Sequence, residues 1–202
     1  MARHHTIIPL AATALALLAS PALAAEDPSQ ASDDSSGEPS GQATKADPLL
    51  APISACPAQS DVRASRRRQV RAMVCLHRYA RRRAGIKRAY TVRRLRKSAR
   101  AKARDLRRCQ QFSHSACGRD AFYWFRRVGF TSGTWGAGEN LALGTGELGS
   151  ARANMAAWLG SPTHRKVLLS RGFRQVGIGL VRGRYEGRGG AQFWVAHFGY
   201  RN

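Results

Sequence analysis

The stretch QVGIGLVRGRYEGRGGAQFWVAHFGY, residues 175–200, decides the fold class of this chain. Its first part alternates apolar side chains with glycines, which is the two-residue period of a β-strand. Its last part, residues 191–200, is apolar on both faces and predicts a second strand. Because a glycine-rich segment near residues 184–190 separates them, the two strands are predicted to pair antiparallel.

Four segments with helical periodicity precede these strands. They cover residues 66–85, 91–111, 120–129 and 151–160. Between the third and the fourth, residues 131–149 are too rich in glycine for a helix and predict a loop around a short extended piece at Glu139–Leu143. Helices followed by strands indicate an α+β domain, in which the helices pack on a small antiparallel sheet.

The N-terminal residues 1–25 have the features of a secretory signal peptide. A positive start at Arg3 precedes an apolar stretch, and small residues in an A-x-A arrangement end at Ala24. A membrane anchor is the alternative, but Pro9 and Pro21 bracket a run shorter than the about 20 apolar residues that a spanning helix needs. The sequence therefore predicts a secreted, extracellular protein with no transmembrane segment in the mature chain.

Residues 26–50 are rich in Ser, Pro, Gly and acidic side chains. Such a segment cannot offset its own ordering entropy, so it predicts a disordered spacer. Residues 51–202 are then predicted to form one folded domain, because a segment of this length commonly folds around a single hydrophobic core.

Charge divides unevenly between these parts. The spacer holds six acids and one lysine, whereas residues 51–202 hold 32 Lys and Arg against six acids, a net charge of +26. A positive electrostatic field of this size favours anionic partners, such as acidic phospholipid, an anionic cell-envelope polymer or nucleic acid. The alternative is a solvated arginine-rich surface without a specific partner. No aromatic residues interleave with the charges of the second predicted helix, so nucleic-acid binding would be unspecific.

All four cysteines follow the predicted signal peptide, and an even number in an exported chain predicts disulfides. Four cysteines allow three pairings, of which sequence proximity favours Cys56–Cys75 and Cys109–Cys117. The chain has no C-x-x-C spacing, which disfavours a metal site built on cysteines.

Three ionisable residues lie in loops or at element ends rather than on an apolar stripe: His114, Glu139 and His164. Two imidazoles and a carboxylate can bind a divalent metal or relay protons if the fold brings them together. Successive members are 25 residues apart, so spacing alone does not show that they meet, and local bonding of each is the alternative. Two other histidines, His77 and His197, are interpreted as packed or surface residues.

Four segments occur in a characteristic order: FSHSACGRDAF, WGAGENLALGTGE, AAWLGSPTHRKVLL with the following FRQVGIGLV, and FWVAHFG. They resemble the motifs of bacterial members of the CAP or SCP superfamily, named for cysteine-rich secretory proteins, antigen 5 and pathogenesis-related 1 proteins. The resemblance covers Val70 to Gly199. It implies an α-β-α sandwich with a cleft lined by two histidines and acidic residues.

The resemblance also implies a role for each candidate residue. His114 of FSH is similar to the first cleft histidine, Glu139 of GEN to the first glutamate and His164 of SPTHR to the second histidine. In some family members the two histidines hold zinc, so His114 and His164 are candidate zinc ligands. The second glutamate has no counterpart, because Gly160 or Ser161 stands in its neighbourhood, and a metal would meet less negative charge here.

These observations favour a secreted binding protein over an enzyme. The resemblance implies that the cleft accepts a lipid, a small hydrophobic ligand or a divalent metal, while the basic domain would bring the protein to anionic membranes or envelope polymers. Two alternatives stay open. One is a metal-assisted hydrolase that uses the same cleft, although the chain lacks a G-x-S-x-G elbow. The other is a cationic antimicrobial or envelope-binding protein in which charge alone acts.

Overall fold

The computed structural model describes residues 47–201, so the predicted signal peptide and most of the predicted spacer lie outside the described residues. The elements in chain order are α1 (Arg66–Arg83), β1 (Tyr90–Thr91), α2 (Arg93–Arg108), α3 (Tyr123–Arg127), β2 (Trp135–Gly144), α4 (Ala151–Gly160), α5 (Pro162–Leu168), β3 (Gln175–Tyr185) and β4 (Arg188–Arg201). None of the helices within residues 47–201 has the length and apolar character needed to cross a membrane.

The four strands form one sheet in the order β1-β3-β4-β2. The predicted antiparallel pairing of β3 with β4 is confirmed, and β2 pairs antiparallel with the other side of β4. The two-residue β1 lies parallel to β3, so the sheet is mixed rather than purely antiparallel. A strand this short carries no periodic signal, which is why the sequence did not predict it.

Strand β2 is twice as long as the extended piece predicted at Glu139–Leu143, because it runs for ten residues. Its glycines were interpreted as loop residues, but they allow close packing instead. A Cβ at Gly138 would lie 2.8 Å from Cε2 of Phe173, and one at Gly136 would meet the ring of Tyr200. Glycine in a strand often marks such a close approach rather than a turn.

Helices form within all four predicted segments, although α3 covers only five residues. The additional helix α5 begins at Pro162, outside the four predicted segments. Proline is accepted at the first helical position because the N–H that it lacks would have no partner within the helix there. This helix carries His164.

Helices cover both faces of the sheet, as an α-β-α sandwich requires. On one face α1, α4 and α5 pack on side chains such as Ile178 and Leu180 of β3. On the other, α2 lies so close to β3 that a Cβ at Gly179 would lie 2.4 Å from the carbonyl carbon of Ala99. The alternation of apolar residues and glycine in QVGIGLV therefore sets one face for side-chain packing and the other for close backbone contact.

The folded domain begins before residue 51. Leu49, which falls within the predicted spacer, is buried in the core with residues of α1 and α4, and Asp47 pairs with Arg165 of α5. Both predicted disulfides are confirmed: Cys56–Cys75 ties the segment before α1 to that helix, and Cys109–Cys117 ties the end of α2 to the following loop.

Candidate functional site

Glu139 lies in the middle of β2, an edge strand, with its side chain only 4% exposed. The strand register places it directly opposite His197 of β4, so the two side chains project from the same face of the sheet. Oε2 of the carboxylate accepts a hydrogen bond from Nε2 of His197 at 2.7 Å. The carboxylate is thereby fixed from within the sheet.

His114 approaches the same carboxylate from the loop that the Cys109–Cys117 disulfide closes. Its Nδ1 donates to Oε1 of Glu139 at 2.6 Å, and its own carbonyl oxygen accepts from Nζ of Lys102 at 2.6 Å. The side chain is 56% exposed. Because Nδ1 is the ring nitrogen bonded to Glu139, Nε2 is the nitrogen available to a ligand.

The buried ring of His197 completes this network. Its Nδ1 lies 2.8 Å from Oγ of Ser98, and the ring stacks on Phe125 with centroids 4.1 Å apart. Burial lowers its pKa, although the hydrogen bond and charge of Glu139 oppose the shift. A neutral His197 that donates from Nε2 has only an acceptor at Nδ1; the single proton of the Ser98 hydroxyl is then shared between Nδ1 and the carbonyl oxygen of Leu95, which lies 3.0 Å from Oγ.

Two ionisable side chains lie beneath the cleft, Glu139 and Lys102. Burial acts to raise the pKa of Glu139, but the hydrogen bonds from His114 and His197 and the nearby charge of Lys102 outweigh it, and the pKa lies below its ordinary value. Lys102 is 2% exposed; burial lowers its pKa, while Glu139 and Asp105 oppose the shift. Glu139 is therefore an ionised carboxylate surrounded by donors.

His164 lies on the opposite side of β2, in α5. Its carbonyl oxygen accepts a hydrogen bond from Nδ2 of Asn140 at 3.0 Å, and its Nδ1 lies 2.9 Å from Oγ of Ser161. Burial lowers the pKa of this imidazole. The structure thus joins His114 to Glu139, whereas no described hydrogen bond links His164 to the ring of His114 or to the carboxylate of Glu139.

Sequence reasoning missed two members of this site. Lys102 was not singled out among the many cations of its helix, but it follows Ser98 by four residues and shares the buried side of α2. His197 was interpreted as packed or surface; it is packed and buried, and its hydrogen bond to Glu139 is the part that was missed. Its position in a segment that is otherwise apolar on both faces was the available signal, because a buried imidazole needs a polar partner.

The donor set does not fit a resident zinc ion. Within residues 47–201 no three His, Cys, Asp or Glu side chains are grouped as metal ligands. Both oxygens of Glu139 accept hydrogen bonds from imidazoles, and Nδ1 of His164 is engaged by Ser161. Only two imidazole nitrogens are left for a metal, whereas catalytic zinc takes three protein ligands and structural zinc four.

Solved structures with the same architecture come from bacterial surface and extracellular proteins. An outer surface protein of Borrelia burgdorferi is 18% identical with a TM-score of 0.57, and the alignment covers 69% of this chain and 97% of that one. An extracellular SCP-domain protein of Bacillus anthracis is 21% identical with a TM-score of 0.53, and 67% of this chain aligns with 43% of it. At these identities the likeness concerns the fold.

A third solved structure, a cysteine-rich secretory protein of Staphylococcus aureus, is 15% identical with a TM-score of 0.50, and 66% of this chain aligns with 39% of it. This chain therefore spans less than half of the Bacillus and Staphylococcus proteins. A comparison with curated protein sequences finds no match. The sequence model described as the cysteine-rich secretory protein family matches residues 74–198, from α1 to β4, and the chain belongs to this CAP family.

Proposed function

We propose that this protein is a secreted binding protein that holds a lipid or small hydrophobic ligand at the His114–Glu139 cleft and uses its basic surface to reach anionic membranes or envelope polymers. One observation carries the cleft assignment: each oxygen of Glu139 accepts from a different imidazole. Glu139 therefore acts as a support that fixes the exposed ring of His114, and Nε2 of that ring is the group offered to a ligand.

A preorganised imidazole suits the polar end of an amphiphile. Nε2 of His114 can accept a hydrogen bond from a hydroxyl group when the ring is neutral, or donate one to a carboxylate when the ring is protonated, without a change in the hydrogen bond to Glu139. Phe112, two residues before His114, is 43% exposed and offers apolar surface on the same loop. A few fixed polar groups beside apolar surface are typical of small-ligand sites.

A hydrolase would need a nucleophile or an activated water beside the imidazole. All four cysteines are engaged in disulfides, so none serves as a thiolate. The poor fit of the donor set to zinc also weakens a metal-assisted reaction. A binding site needs neither a nucleophile nor a metal, so binding accounts for the arrangement of His114 and Glu139 more simply than hydrolysis does.

Export is supported by two independent observations. Disulfides such as Cys56–Cys75 persist in oxidising compartments outside the cytosol. The similar proteins of Borrelia and Bacillus are described as an outer surface protein and an extracellular protein. We extend that location to this chain as part of the proposal.

The cleft is tested by titrating the protein with a fluorescent fatty acid. We expect saturable binding, weakened about tenfold or more in His114→Ala, because loss of one polar anchor of about 1.4 kcal/mol gives that factor. Glu139→Gln should weaken it too, while Glu186→Gln, a change of an exposed acid in the β3–β4 turn, should not. Unchanged binding in His114→Ala and Glu139→Gln would overturn the assignment.

A zinc titration by calorimetry distinguishes a metal site from a ligand cleft. Stoichiometric zinc uptake that disappears in His114→Ala and in His164→Ala would replace the ligand cleft with a metal site. The anionic partner is tested separately, by co-sedimentation with vesicles of acidic or neutral lipid at low and high salt. Equal and negligible binding to both kinds of vesicle would remove the membrane part of the proposal.

A further inference from the structure

A groove runs between α1 and α2 along the outer edge of β3. Strand β1 covers β3 only at Gln175 and Val176, so past Val176 no described strand lies on this side of β3. The groove encloses about 710 Å³, with Val70, Ile178 and Leu180 at its base. Its walls carry seven cations: Arg66, Arg67 and Arg71 of α1, and Arg93, Arg96, Lys97 and Arg100 of α2.

The groove continues along α1 into a second cavity of about 530 Å³, which shares Val70, Arg71 and Arg96 with the first. This extension adds Arg78 and Arg82, both exposed. We call the two cavities together the basic groove. It is elongated, and cations line it from one end to the other.

No described acid neutralises these nine cations, because none of them forms an ion pair within residues 47–201. The acids near α2 are engaged elsewhere: Asp105 pairs with Arg108 and Arg119, and Asp120 with Arg126. The cations also repel one another. Burial and then the charge of Arg66 lower the pKa of Arg100. A bound anion would relieve this repulsion.

The chemistry of the groove favours phosphate. Eight of its nine cations are arginines, whose planar guanidinium matches phosphate oxygens with two parallel hydrogen bonds. Cations in two rows along an elongated groove suit a chain of phosphates better than a single ion. Arg82 lies over the ring of Tyr79, 5.6 Å from its centroid, so it is already oriented without an anion.

Two other anionic partners fit less well. Tyr79 is the one aromatic residue lining the described groove, and Arg82 lies over its ring, so successive bases would have no stacking platform. Two of the three apolar side chains at the base of the first cavity are nearly covered, since Ile178 is 5% exposed and Leu180 0%, and they offer little surface to acyl chains.

We propose that the basic groove binds a linear, base-free phosphate polymer that lies between α1 and α2, in contact with guanidinium groups of both helices. This deepens the anionic-partner part of the proposed function and rests on it. It is independent of the His114–Glu139 cleft, whose ligand binding can fail while the groove binds its polymer.

The test measures binding of fluorescently labelled inorganic polyphosphate by anisotropy at several salt concentrations. The groove variant Arg67→Gln/Arg71→Gln/Arg96→Gln/Arg100→Gln removes four charges from side chains that make no described hydrogen bond. The matched control Arg88→Gln/Arg127→Gln/Arg171→Gln/Arg188→Gln removes four exposed charges elsewhere. Thermal unfolding of all three proteins checks that they are folded.

We expect the groove variant to bind polyphosphate at least about tenfold more weakly than the control. Its salt dependence should be shallower by roughly one unit of slope for each phosphate that the missing guanidinium groups would have neutralised. Equal weakening in both variants would overturn the groove and leave a general role for surface charge. Tighter binding of a single-stranded oligonucleotide with the same number of phosphates would overturn the base-free assignment.

Two further outcomes separate the groove from the proposed function. Binding to acidic vesicles without binding to polyphosphate would overturn the groove while the anionic-membrane proposal stands. Binding to polyphosphate without fatty-acid binding at the cleft would retain the groove and overturn the cleft.

Orthophosphate that competes as well as polyphosphate, at equal phosphate concentration, would show a single-ion site and overturn the linear polymer.

Discussion

His197 and Glu139 lie directly opposite each other on β4 and β2, and the fully buried imidazole donates from Nε2 to the carboxylate at 2.7 Å. The same carboxylate then orients His114, which is exposed. The exposed ring is therefore held from the sheet through two successive hydrogen bonds. His197 is a positioning residue for the cleft, since it touches Glu139 and not the surface.

Replacing His197 by Phe should keep the packing on Phe125 but remove a donor from Glu139. Loss of one partner of a buried polar group costs about 1–3 kcal/mol, so the free energy of unfolding in urea should fall by that amount. If His197 also positions the cleft, fatty-acid binding should weaken in the folded variant. His197→Gln, which can still donate, should recover part of both losses. A variant as stable as wild type would show that the hydrogen bond is dispensable.

Stability should fall as the pH drops below about 6.5, because the buried histidines resist protonation. Burial, with the charge of Arg81, lowers the pKa of His77 to about 3. A depressed pKa gives stability that is present above the unfolded value and lost as the pH falls toward the folded value, since only the unfolded chain binds the proton in between. His197 acts in the same direction.

The measurement is the urea unfolding free energy between pH 8 and pH 4. Each such histidine contributes a slope of about 1.4 kcal/mol per pH unit within its window. His77→Phe should flatten the profile by that contribution. A profile identical to that of wild type would mean that His77 takes up a proton in the folded protein.

Close contact between β3 and α2 predicts that Gly179→Ala destabilises the domain. The added Cβ would lie 2.4 Å from the backbone of Ala99, and neither the strand nor the helix backbone can yield easily. Overpacking of this kind costs typically about 1–3 kcal/mol. Gly189→Ala in β4 is the control, because a Cβ there meets nothing within 4 Å. Equal urea midpoints for the two variants would contradict the contact.

Local periodicity predicted the helices α1 to α4 and the β3–β4 pair, but not α5, because periodicity depends on neighbours a few residues away. Periodicity underestimated the length of β2, because its glycines were interpreted as loop residues. The structure shows that Gly136 and Gly138 leave room for the rings of Tyr200 and Phe173. The family resemblance, rather than any spacing, brought His114 together with Glu139. The contact of Glu139 with His197 joins positions 58 residues apart, and only the β2–β4 register specifies it.

Arg81 is a charged residue whose burial could not be predicted from composition. It stands in the run RRR at residues 81–83, which composition assigns to solvent, yet its side chain is fully buried. Its position four residues after His77 places it on the buried stripe of α1. The pattern could therefore have located it, but its partners could not be predicted, because they are backbone carbonyl oxygens and three of the four belong to residues at least 87 positions away.

All five N–H donors of the Arg81 guanidinium are used, and every acceptor is a backbone carbonyl oxygen. The acceptors are Lys87, Leu168, Ser170 and Phe173, at 2.9 to 3.1 Å. The side chain thus joins the end of α1 to the segment between α5 and β3. This contact helps to fix α5, which carries His164.

Arg81→Lys should therefore be strongly destabilising despite the retained charge. A lysine has three donors and no planar fork, so at least one buried carbonyl loses its partner, at about 1–3 kcal/mol for each. Arg83→Lys, the same change at an exposed position of the same helix, should alter the urea midpoint little. Hydrogen exchange in residues 168–173 should also rise in Arg81→Lys and not in the control. Unchanged protection there would show that other contacts hold α5 in place.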